Sequence, residues 1–286
     1  MTVLLAVLAA LVYGAAVAIQ HREAAAIDAT RSLRPRLLLG LMVRPLWLLG
    51  LLGDVGGFAL QTAALTLGSL VVVQPILTLS LVVSLLLGAR FDARRLQAWE
   101  WRSVAGLLAG LSLFLVVARP TSRSDAVASP HRWFVTLTAV SGLTLFALIV
   151  GKTRSGPRRG MWFALAAACT EGLMAVFAKA FGDRLGHGVA STFASWQPYA
   201  VAVCGIVTMI LVQSAYQVGT QNATLPMLTV AEPIIAVSLG AVLFGEQLHL
   251  DGWRAPVVVL SVAVMLGCLA LIASRSFEPG AYPGQP

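Results

Sequence analysis

Apolar residues run through this chain in long blocks separated by short basic stretches. Nine blocks stand out, at about residues 3–20, 45–65, 69–90, 102–118, 133–151, 160–181, 194–217, 223–245 and 254–274. Each approaches the roughly 20 residues a helix needs to cross a bilayer's hydrocarbon. The pattern therefore predicts an all-α polytopic membrane protein with nine transmembrane helices. The first block carries Ala16-Val17-Ala18, which resembles a signal-peptide cleavage site. It has no basic stretch ahead of it, so it is read as a span. Residues 37–43 suit a short interfacial helix, and the Pro- and Gly-rich tail 276–286 is expected to be a disordered cytoplasmic extension.

Composition supports this assignment. The chain is 58% apolar and only 11% charged, against roughly 25% charged in soluble domains. Its net charge of +8 would point to nucleic acid in a soluble protein, but here the basic residues set topology. Fourteen lie in the segments 21–44, 90–102, 152–159 and at Arg275, and five on the opposite side. By the positive-inside rule the N-terminus is outside and the C-terminus cytoplasmic. The seven tryptophans fall at or near predicted helix ends, where an amphipathic ring belongs. Arginine outnumbers lysine 18 to 2, a bias of GC-rich bacterial genomes, and the expected location is a bacterial inner membrane. Cys169, Cys204 and Cys268 sit within apolar blocks and form no disulfide or metal pattern. No His/Cys metal spacing, GxSxG or Walker loop appears, so neither an enzyme nor a bound cofactor is expected.

The candidate chemistry lies in the charges that interrupt the blocks. Glu232, followed by Pro233, falls near the middle of 223–245, about 15 Å from either aqueous face. An ionisable group at that depth costs several kcal/mol unless paired, hydrated or protonated, which makes it a functional candidate. Asp54 and Glu171 lie at similar depth in their own blocks. The three carboxylates can converge on a cation as a metal-ligand set, or one can carry a coupling proton. Structural roles compete with this. Lys179 shares the helix of Glu171, about 12 Å further along, where the pair can be satisfied by water or the lysine can snorkel outward. Asp54, among Gly53, Gly56 and Gly57, can accept a hydrogen bond from a neighbouring helix. Gln61, Gln74, Gln213 and Asn222 can bridge helices, and Gln74 and Gln213 can also line a binding cavity, as can Tyr13 and Tyr216. Pro75 and Pro233 remove backbone donors in mid-span and are candidate hinges.

Two regions share a layout. Ala59–Phe91 and Leu211–Glu246 each end a helix in Gln-small-Ala, turn tightly, and continue into a helix with a polar residue before proline. Gln74-Pro75 answers Glu232-Pro233, and each helix closes on glycine, Gly88 facing the cytoplasm and Gly245 the exterior. The halves are thus inverted, an architecture whose sites lie at the repeat interface near the midplane. Proline, an apolar stretch, Gly-Glu and a small-residue helix resemble the EamA-type repeat of the drug/metabolite transporter superfamily. Residues 101–118, with Gly106 and Gly110 at GxxxG spacing, resemble that repeat's closing helix. The run Arg44–Leu65 is similar to a helix of the nine-helix NIPA-type magnesium transporter branch, with Asp54 at its acidic position. Ala89 stands where the family carries Glu after the first repeat's glycine.

The resemblance implies two inverted repeats of four and five helices, residues 1–120 and 132–275. It implies a secondary transporter for a small metabolite, drug-like solute or cation, working by alternating access around Asp54, Gln74, Glu171, Gln213 and Glu232. Proton or Mg²⁺ would be the coupling ion or substrate. Alternatives are a Mg²⁺ transporter, a flippase for a lipid-linked envelope precursor, and a non-transporting accessory subunit. The missing first helix would leave a flank for a homodimer or a membrane-protein partner. The bilayer itself is the one partner every version shares, and none involves nucleic acid.

Overall fold

In a computed structural model, residues 1–25, 44–91, 93, 95–118, 129–186, 188–218, 221–246 and 250–275 are described. The segment 37–43 and the tail 276–286 lie outside them. All the regular elements are helices: α1 (Thr2–Ala25), α2 (Pro45–Leu67), α3 (Leu70–Leu77), α4 (Leu79–Phe91), α5 (Ala98–Ala118) and α6 (Pro130–Lys152), then α7 (Gly156–Leu185), α8 (Val189–Phe193), α9 (Gln197–Val218), α10 (Gln221–Phe244) and α11 (Arg254–Arg275). Among the described residues, eight helical segments are long and apolar enough to cross a bilayer, α3 and α4 together forming one. The expected ninth, 194–217, is helical in α9, whose described apolar stretch is Gln197–Val212.

Local chemistry sets the helix ends. Pro45 and Pro130 occupy first-turn positions, where a missing N–H costs nothing. Ser69 and Ser129 accept from the backbone N–H groups of Val72 and Arg132. Gly245, at φ +62°, ends α10 in the left-handed region, where a Cβ would be strained.

The two candidate hinges behave differently. The helical ladder breaks at Thr78, three residues after Pro75, and the Thr78 hydroxyl donates to the Pro75 carbonyl at 2.6 Å. α10 runs unbroken through Pro233.

Packing depends on close backbone approach. Along α2, Gly50, Gly53 and Gly57 receive Gln20, Ala16 and the Tyr13 ring of α1. Gly106 and Gly110 of α5 meet Cys268 and Met265 of α11, so the GxxxG pair is a helix contact. α7 is the most enclosed spanning helix and packs on α9, α10 and α6. One apolar core joins Leu65, Leu70, Leu107, Val176, Leu243 and Ile272. Large apolar side chains also cover the outside, including Leu52, Val55, Phe134, Ile206, Val259 and Leu260. That inside-out surface suits a surrounding of lipid.

Candidate functional site

At mid-depth the carboxylates gather around α7 and α10. Gly172 of α7 admits Ile235 and the backbone of Ala236; a Cβ there would lie 2.8 Å from Ile235 and 3.1 Å from the Ala236 nitrogen. That approach brings Glu171 and Glu232 within electrostatic reach of each other. Both are half-buried among the helices. Among the described residues no lysine or arginine pairs with either.

The α1–α2 side completes the neighbourhood. The Tyr13 hydroxyl donates to Gln61 Oε1 at 2.9 Å, and its ring stands within electrostatic reach of both Asp54 and Glu232. Asp54 Oδ2 accepts from Gln20 Nε2 at 2.5 Å. Asp54 therefore has a local donor, as its hydrogen-bonding alternative anticipated, and is linked to the glutamates through Tyr13. Among the described residues no three His, Cys, Asp or Glu side chains are grouped to hold a metal ion. The expected set of Asp54, Glu171 and Glu232 thus reduces to a glutamate pair with a nearby aspartate. Gln74 is buried in α3, and its Nε2 has no hydrogen-bond partner among the described residues. Gln213 lies on α9; its side chain, like those of Tyr216 and Asn222, lies outside the described residues.

Lys179 neither snorkels nor answers Glu171. It is buried and donates to Glu246 Oε1 at 2.9 Å and to the Gly68 carbonyl at 2.7 Å. The same carboxylate accepts from the backbone N–H groups of Leu70 and Val71, at 2.9 and 3.0 Å. Those are two of the free donors at the start of α3, where the helix dipole also favours an anion. Gly240 makes room: a Cβ there would lie 2.7 Å from Glu246 Oε2. Beside this lock, Trp133 stacks on Phe177 and meets Trp196 and Phe244 edge-on, with ring centroids 5.2–6.3 Å apart. Lys179 Nζ lies 5.0 Å from the Phe244 ring centre, within cation–π range. One end of the bundle thus carries a buried ion pair beside an aromatic cluster.

Helices of this length and surface, carrying ionisable groups within, define a multi-pass α-helical membrane protein. Across 98% of its length the chain is 30% identical to an uncharacterized protein of Corynebacterium glutamicum, covering 96% of that protein. The two belong to one family. No family model and no solved structure matches the chain.

Proposed function

We propose that this protein is a secondary transporter of the drug/metabolite type in a bacterial inner membrane, moving a small solute or cation by alternating access. One observation carries the reading. Two carboxylates from different helices come within electrostatic reach of each other at mid-depth, and among the described residues neither is paired with a lysine or arginine. Such a pair is costly in hydrocarbon unless a proton or cationic solute neutralises it, which is how a coupled carrier would use it.

The inverted-repeat layout draws support from paired contacts. α1 packs on α2 and on α3–α4, and α7 packs on α9 and α10 in the same relation. Gly14 of α1 approaches Val83 of α4 as Gly172 of α7 approaches Ile235 of α10, so Tyr13 takes the place of Glu171. α6, on the outside of α7, has no partner in the first half, giving four helices against five. With the basic segments in the cytoplasm, the Lys179–Glu246 lock faces the exterior and loading occurs from the cytoplasmic side. Glu232 and Glu171 then exchange a proton for the solute while the halves rock.

The test uses proteoliposomes containing a pH dye, with tetraphenylphosphonium or Mg²⁺ added as cation. Wild-type protein should release protons on addition of a cation, and Glu232→Gln should abolish the release while keeping its melting temperature within a few degrees. Undiminished exchange in that variant would end the proposal.

A further inference from the structure

The opposite face of α10 borders a second feature that the carboxylates do not touch. Glu232 faces α7, whereas Pro233 and Val237, turned away by helix geometry, line a cavity of about 210 Å³ between α3–α4, α5, α10 and α11. Its floor is buried and apolar, formed by Pro75, Leu107, Phe114, Met265 and Leu269. Ile234 and Ser238, at its edge, are exposed on the outer face of α10, so the mouth opens sideways into the bilayer.

The lining decides the occupant. Its two hydroxyls are spent within their own helices, Thr78 on the Pro75 carbonyl at 2.6 Å and Ser238 on the Ile234 carbonyl at 2.7 Å. Both hydroxyl protons are thus engaged, and the lining side chains offer no free donor to hold a polar head. An apolar cavity of roughly 150 Å³ stays dry and takes benzene; this one is larger and open to hydrocarbon. We infer that the cavity binds one hydrocarbon chain of a bilayer phospholipid, inserted past Ile234 and Ser238 to lie against Pro75 and Pro233. The inference stands apart from the transport reading, since nothing in it requires a solute to move.

Full-length protein in phosphatidylcholine vesicles, doped with a phosphatidylcholine bearing a diazirine near the chain end, would be irradiated and its adducts mapped by mass spectrometry. Val259, exposed on α11, reports bulk lipid. Adducts on Phe114, Met265 or Leu269, beside those on Val259, are expected. Ser238→Trp or Val262→Trp, at the mouth, should lower floor labelling relative to Val259, by about fourfold for each methylene excluded, and Ser238→Ala should leave it unchanged. Labelling of Val259 with a silent floor overturns the inference, as does floor labelling indifferent to both tryptophans. Displacement of the floor adducts by unlabelled polyprenyl phosphate, but not by unlabelled phosphatidylcholine, also overturns it and reassigns the cavity to an isoprenoid chain.

Discussion

Replacing Glu246 with alanine tests the lock most directly. The change leaves Lys179 buried with one remaining acceptor, the Gly68 carbonyl, and strips the N–H groups of Leu70 and Val71 of their partner. Breaking a buried pair from one side costs about 3–5 kcal/mol, and losing a helix N-terminal cap adds about 1 kcal/mol. Ser69 still serves Val72, which keeps the total near 4–6 kcal/mol rather than higher. Lys179→Met should cost less by about 1–3 kcal/mol, because Glu246 keeps two backbone donors at a helix start. The two losses should not add: each single variant already breaks the pair, so the double variant should fall short of the sum by about 1–3 kcal/mol. Unfolding in mixed micelles of rising dodecyl sulfate content, followed by tryptophan fluorescence, measures all three. Trp133 contacts Phe244, over which Lys179 sits, so its emission should shift at the lock itself. A loss under about 1 kcal/mol for Glu246→Ala, or strictly additive single variants, would refute the reasoning.

Gly240→Ala should weaken the same lock without altering a charge, since its Cβ would lie 2.7 Å from Glu246 Oε2 and 3.0 Å from Leu70 Cβ. A cost of about 1–3 kcal/mol in the same titration is expected, and it should shrink when Glu246 is already alanine. Gly110→Leu drives a side chain into Met265 and the Ser261 carbonyl, at 2.7 and 3.0 Å from its Cβ. It should separate α5 from α11, read as lost cross-linking between cysteines at 106 and 264 and a lower melting temperature. Tyr13→Phe removes the bond to Gln61 and should cost about 1 kcal/mol, with the fold kept by circular dichroism.

The spans were legible because bilayer thickness imposes one length on every apolar block, whatever its neighbours. Gly106 and Gly110 were legible for a similar reason, as close approach needs only two small residues on one face. Glu171, Glu232 and Asp54 could be placed by depth, and Glu171 and Glu232 lie within electrostatic reach of each other. What depth does not reveal is a charge's partner. Lys179 and Glu171 share a helix, so periodicity couples them; yet Lys179 stands less than two turns from the end of α7, level with Glu246 just beyond α10. Glu246 follows the glycine that closes its helix, and matching cations and carboxylates by distance from a helix end would have found the pair. The contrast between the glutamates follows from this. Glu246 is met by an ammonium and two backbone donors, so in this conformation its charge is satisfied within the protein and ties two halves of the chain together. Glu171 and Glu232 lie within electrostatic reach of each other, and the proposed exchange of a proton for the solute rests on that pairing. Among equally apolar blocks, the three-dimensional pairing of α7 with α10 and α3 thus separates a carboxylate met by protein donors from one that lies near another carboxylate.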